Sequence, residues 1–183
     1  MSDLVPLTGE PLALDLINTR TAAGDLLATP DDLHGWLDLQ AGRLPDAASP
    51  DIHDVRPVHL VREHAANAVE RARHGERPDT ADLAALNDLQ RAAPAITELT
   101  WDGSAVAAAR RRSGPAGARL AASLAEAAAD LLADPAVTRI RQCAADDCVL
   151  LFLPAHPRRR WCSAARCGNR VRVARHYQRH KPG

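Results

Sequence analysis

CAADDCVLLFLPAHPRRRWCSAARC, residues 143–167, holds all four cysteines of this 183-residue chain, as Cys143-x4-Cys148-x13-Cys162-x4-Cys167. Two close thiol pairs separated by a loop are what one tetrahedral zinc ion requires. Four thiolates leave the metal no open position for water or substrate, so Cys143, Cys148, Cys162 and Cys167 are expected to hold one structural Zn2+. Two alternatives stand beside this reading: a pair of disulfides, which needs an oxidising compartment, and buried or redox-active free thiols. The opening MSDLVPLTGEPLALDLINTR contains no basic leader followed by a long apolar run. Export is therefore not expected, and the chain is placed in the cytoplasm.

Charge divides along the same line. The net charge is zero, but residues 1–138 carry 12 Arg against 21 Asp and Glu, and residues 139–183 carry 11 Arg and Lys against 2 Asp. A localised basic segment of this size is the electrostatic footprint of a nucleic-acid or membrane-surface binder, and the acidic remainder would hold the rest of the molecule off a polyanion. A basic face that is merely solvated is the alternative. No apolar run reaches the roughly 18–20 residues that span a bilayer.

Residues 1–135 are read as a mainly α domain with a small β-hairpin, and residues 136–183 as a small zinc module. Aromatic residues make up only 3% of the chain, so the larger core must be built from Leu, Val, Ile and Ala, which suits closely packed helices. Pro11 opens a first helix through Leu12, Ala13, Leu16 and Ile17. Thr29-Pro30-Asp31-Asp32 is an N-cap, a proline at the first helical position and an acidic first turn. The segment between them and the run 42–57 are expected to be connectors. A long helix follows from about Val58 to His74, terminated at Gly75, then a helix capped by Asp79 and broken at Pro94. Ile96 to Arg112, turning at Asp102-Gly103, predicts the hairpin. An alanine-rich helix runs from Gly114-Pro115 to about Leu132, and Asp134-Pro135 marks the boundary.

In the module, Val137, Ile140 and Val149–Phe152 are expected to form short strands around the first cysteine pair. The second pair should lie where a C-terminal helix begins, giving a treble-clef-like arrangement. About 45 residues with so little apolar content cannot hold themselves by burial, so the metal should supply on the order of 10 kcal/mol of folding free energy. On a helix over 168–180, Arg172, Arg175, His176 and Arg179 share one face and could meet phosphates or guanine edges. Arg158, Arg159 and Arg160 would add phosphate clamps. Trp161, beside a ligand cysteine, reads as a packing residue rather than a base-stacking platform.

Arg159-Arg160-Trp161-Cys162-Ser163, then Cys167-Gly168-Asn169-Arg170 and Arg175-His176-Tyr177, closely resembles the CGNR zinc finger. Upstream, Leu12–Thr19, Leu33 with Trp36-Leu37, and Trp101-Asp102-Gly103 resemble the ABATE domain that typically precedes that finger. The resemblance implies a bacterial stress-induced transcription regulator, with a helical N-terminal domain and a zinc-binding, DNA-binding C-terminal one. It places the metal ligands on the same four cysteines. The chain departs from the family at Pro154, where an acidic residue is frequent, and in the thinner basic tail Val171-Arg172-Val173-Ala174.

Asn169 and Arg170 are each read two ways, as base contacts or as structural groups beside the metal. Asp15, Asn18 and Asn87 are the polar candidates for an effector site in the large domain; as helix caps or satisfied core polars they would be structural. The eight histidines show no HExxH spacing, and no Gly-rich phosphate loop or nucleophile elbow is present, so no enzyme is expected. The reading is a zinc-dependent regulator that binds double-stranded DNA, with a possible small-molecule effector and a possible homodimer for two half-sites. The rival is a zinc-stabilised adaptor that binds an acidic protein instead of DNA.

Overall fold

The computed structural model describes residues 5–44 and 53–173. Among them, the helices are α1 (Leu12–Ile17), α2 (Pro30–Leu39), α3 (Arg56–Arg73), α4 (Thr80–Ala92) and α5 (Ala116–Ala133). Three two-stranded antiparallel hairpins accompany them: β1 (Arg20–Thr21) with β2 (Gly24–Asp25), β3 (Ala95–Trp101) with β4 (Val106–Arg112), and β5 (Arg141–Gln142) with β6 (Leu151–Phe152).

Local chemistry sets the boundaries. At α2, Thr29 Oγ1 accepts the Asp32 amide at 3.2 Å and Asp32 Oδ2 accepts the Thr29 amide at 2.9 Å, a reciprocal capping box. Gly75, with φ +74°, lets the chain leave α3 while its amide reaches Ala72 O at 2.9 Å. Asp102 Oδ1 accepts the Ser104 and Ala105 amides, each at 2.8 Å, and closes the β3–β4 turn. Those amides, the larger influence, and the Ser104 hydroxyl hold its carboxyl below the usual carboxylate range.

Some expectations need correction. The segment after α1 is not a plain connector but carries the β1–β2 hairpin. The run 42–57 ends inside a helix, because α3 begins at Arg56 with Pro57 in its first turn. Val137 lies in a 3-10 turn, Pro135–Arg139, not in a strand; Asp134 caps this turn by accepting the Ala136 amide at 2.8 Å. A C-terminal helix over 168–180 is described only through residue 173, and Arg175, His176 and Arg179 lie outside the described residues.

Helix α1 is buried on nearly every side, with Ala13, Leu14, Asp15, Leu16 and Ile17 all in the interior between α3 and α5. Its one polar residue is tied down. Asp15, fully buried, accepts from the Gly9 and Glu10 amides at 3.0 Å, from Gln40 Nε2 at 3.2 Å and from Arg43 Nη1 at 2.6 Å. Nearby, the buried Arg62 guanidinium donates to Asp25 at 2.6 and 2.5 Å and to Thr19 Oγ1 at 2.9 Å. Burial raises the Asp25 carboxyl, but the bonds from Arg62 and the Leu27 amide outweigh it and keep it low.

The strand β6 and its neighbours divide two cores. Leu150 and Phe152 point into a cluster with the four cysteines, Leu7 and Trp161. Leu151 and Leu153 point the other way, into the core shared by α1, α3 and α5. This period-two alternation explains the unbroken apolar run Leu150–Leu153: the strand is covered on both faces. One edge of β6 pairs with β5, Gln142 opposite Leu151. On the other, Asn18 stands in for a strand: its Oδ1 accepts the Leu151 amide and its Nδ2 donates to Leu151 O, both at 2.8 Å.

Asn18→Ala should therefore leave a buried amide and carbonyl unpaired, at a cost of about 2 kcal/mol. Urea unfolding of the zinc-loaded protein should show a lower midpoint with an unchanged slope.

Candidate metal centre and nucleic-acid interface

The first cysteine pair sits on a tight knuckle. Cys143 donates its amide to Leu150 O at 2.9 Å, and Cys148 donates to Ala145 O at 3.0 Å, so Asp146 and Asp147 bulge outward while both sulfurs turn in. Of the second pair, Cys162 precedes and Cys167 lies within a wide helical turn, Ala164–Gly168, whose start is capped by Ser163 accepting the Arg166 amide at 3.3 Å. Residues 169–173 continue it as helix. Gly168 leaves room for Trp161: a Cβ there would lie 3.5 Å from the indole.

All four sulfurs lie within 4.8 Å of one another and all four cysteines are buried. Cys148 Sγ is 3.9 Å from Cys162 Sγ, which is 3.6 Å from Cys167 Sγ. Tetrahedral coordination at a Zn–S distance of about 2.3 Å requires sulfur separations of about 3.8 Å. The spacing fits one zinc ion and is too long for a disulfide bond, and the four cysteines are free thiols.

The electrostatics point the same way. Hydrogen bonding from Cys162 brings the Cys148 thiol down to about 5, while its bond to Cys148 and its burial drive Cys162 strongly upward. Burial pushes Cys167 up to about 12. Four buried thiols cannot all ionise against one another; a divalent cation at their centre is what allows it. The site is one structural, closed zinc centre.

Residues 10–135 match the family model ABATE, described as "Putative stress-induced transcription regulator". Residues 139–180 match the CGNR zinc finger. The chain belongs to the ABATE family. No curated protein matches it. Both descriptions are of regulator and zinc-finger types, and among the described residues no helix is long and apolar enough to cross a membrane.

In this ABATE protein, Arg158, Arg159, Arg160, Arg170 and Arg172 of the CGNR finger fall into two groups. Arg159 is turned inward: its guanidinium donates to Glu10 Oε1 at 2.5 Å, to Cys162 O at 2.5 Å and to Trp161 O at 3.1 Å, and lies 4.4 Å from the Phe152 ring centroid. It ties the metal loop to the N-terminal segment through its Nε and Nη2 donors. Arg170 bridges the two halves of the finger, donating to Asp147 Oδ1 at 2.7 Å and to Cys167 Sγ at 3.5 Å. The group that reaches a ligand sulfur is thus Arg170, while Asn169 is exposed and accepts from Arg172 Nη2 at 2.6 Å. Arg158, Arg160 and Arg172 are exposed, with Arg160 5.9 Å from the Trp161 ring.

The polar candidates of the ABATE unit are separated. Asp15 and Asn18 spend their side-chain atoms on the internal bonds described above, and Asn87 stands exposed on α4, remote in role from both. Sequence reasoning overlooked Glu10, whose buried carboxylate accepts the Leu153 amide at 2.9 Å as well as Arg159. Nothing in the local pattern around Glu10 marks a partner so distant in the chain.

Metal analysis of the purified protein should find one zinc per chain, and Cys162→Ser should lose it together with the fold of the finger. Because binding requires ionised thiols, zinc affinity should fall as pH is lowered, read by competition with a chromophoric chelator. Arg170→Ala should keep the metal but release it faster to the same chelator.

Proposed function

We propose that this protein is a zinc-dependent DNA-binding transcription regulator in which the CGNR finger contacts double-stranded DNA and the ABATE unit seats it. The observation that carries this reading is the division of the finger's arginines. Zinc, Arg159 and Arg170 build a rigid frame, and Arg158, Arg160 and Arg172 project from it into solvent, where guanidinium groups can engage phosphates or base edges. The family's description as a transcription regulator supports the same reading. The closed thiolate set, with no position for substrate, supports a role without catalysis.

Arg158 and Arg160 lie in the loop before Cys162 and suit backbone contacts. Arg172 lies on the helical segment and suits the groove; Arg175, His176 and Arg179, which the sequence pattern adds to the same interface, lie outside the described residues. A finger this small makes few contacts, so sequence preference calls for two half-sites and a homodimer acting in the cytoplasm.

Fluorescence anisotropy of the zinc-loaded chain on a randomised duplex library, at several salt concentrations, tests the reading. Binding should weaken steeply with salt, and Arg172→Ala should reduce the slope of log affinity against log salt by about 1. Cys162→Ser should abolish binding. No binding by folded, zinc-replete protein would remove the DNA reading and favour an adaptor that docks on an acidic protein.

A further inference from the structure

On the ABATE unit, the segment that follows α2, strand β4 and helix α5 line a half-open cleft of about 470 Å3. That volume is within the range of small-molecule sites, roughly 300–1,000 Å3. Its lining is unusual in an otherwise acidic domain: Arg43, Arg110, Arg111, Arg112 and Arg119 face it, against Glu126 and Asp130. Glu126 pairs with Arg110 at 3.2 Å and also with Arg112, and the buried Asp15 pairs with Arg43 at 2.6 Å. Leaving Arg111 aside, four arginines, Arg43, Arg110, Arg112 and Arg119, stand against three carboxylates, Asp15, Glu126 and Asp130, among the described residues. Leu12, Leu44 and Leu120 add an apolar wall.

We propose that this cleft binds a small organic anion. Its carboxylate or phosphate head would lie on the arginine forks, which match both groups bidentately, and its apolar body would lie on the leucines. The reading gives the domain an effector site at residues other than Asp15, Asn18 and Asn87.

The cleft has a physical route to the finger. Arg43, which lines it, donates Nη1 to Asp15 and Nη2 to the Glu10 carbonyl at 2.9 Å. Glu10 in turn holds the Leu153 amide and Arg159 through its carboxylate. An anion that draws on Arg43 competes with Asp15 and Glu10 for the same donors and so acts on the seat of the finger. This regulatory consequence rests on the DNA-binding reading; binding of the anion does not.

Calorimetric titration of the zinc-loaded full chain with phenyl phosphate, 3-phenylpropionate and the neutral 3-phenylpropionamide tests the site without DNA. Arg110 and Arg119 sit at its rim, where their recorded partners are Glu126 and the Gly114 carbonyl, so Arg110→Ala and Arg119→Ala should fold. At least one anion should bind saturably with Kd about 1 mM or tighter, the amide should not, and at least one variant should weaken the anion about tenfold. The stronger of the two anions then assigns the head group. Equal binding of anion and amide, anion binding unchanged in both variants, or no saturable binding of any probe to folded protein would overturn the proposal.

Discussion

The pairing of the Asn18 side chain with the backbone of Leu151 is the interaction on which the arrangement of this protein depends. An amide side chain offers one acceptor and one donor at the spacing of a peptide, so it can complete a strand edge without being a strand. Here it does so at a strand shared by two cores. With Asn18 in place, Leu151 and Leu153 can enter the helical core while Leu150 and Phe152 remain under the zinc centre. Glu10 repeats the device one step along, at the Leu153 amide. The two family-sized segments are therefore joined by satisfied backbone groups rather than by a loose linker.

Zinc and arginine share the construction of the smaller core. Four thiolates around one divalent ion leave two excess negative charges in a nearly apolar cluster. Arg170, donating to Cys167 Sγ, and the neighbouring cationic loop offset them. Arg159 serves differently, spanning from Phe152 to Glu10 and to two loop carbonyls. Formal charge thus overstates the number of cations free for a partner: part of the basic character of residues 139–183 is consumed as internal scaffolding.

Features with local causes were legible in the sequence. The Thr29-Pro30-Asp31-Asp32 cap, the Gly75 stop, the Asp102-Gly103 turn and the cysteine spacing each act over a few residues, and each appears where their chemistry puts it. Long-range pairings were not. Asn18 and Leu151 are 133 residues apart, and Glu10 and Arg159 are 149 apart. No periodicity links such partners, so Asn18 read as a cap or a ligand group and Arg159 as a phosphate clamp. Val137 was misread for a different reason. A β-branched residue among apolar neighbours favours a strand, but Asp134-Pro135 ahead of it nucleates a turn, and the cap prevailed over the propensity.

That same clamp orders events during synthesis. Helix α1 leaves the ribosome well before the groups that satisfy Asn18 and the carboxylate of Glu10, which lie 133 and 143 residues further along the chain from them. Contacts so distant in sequence form late, because their loop closes only when both ends exist. Until the cysteine module is made and has taken up its metal, the helical unit waits with an unfinished face and unsated polar groups. The nascent protein is then most exposed to chaperones and proteases, and zinc supply becomes a condition for completing the domain that does not bind it.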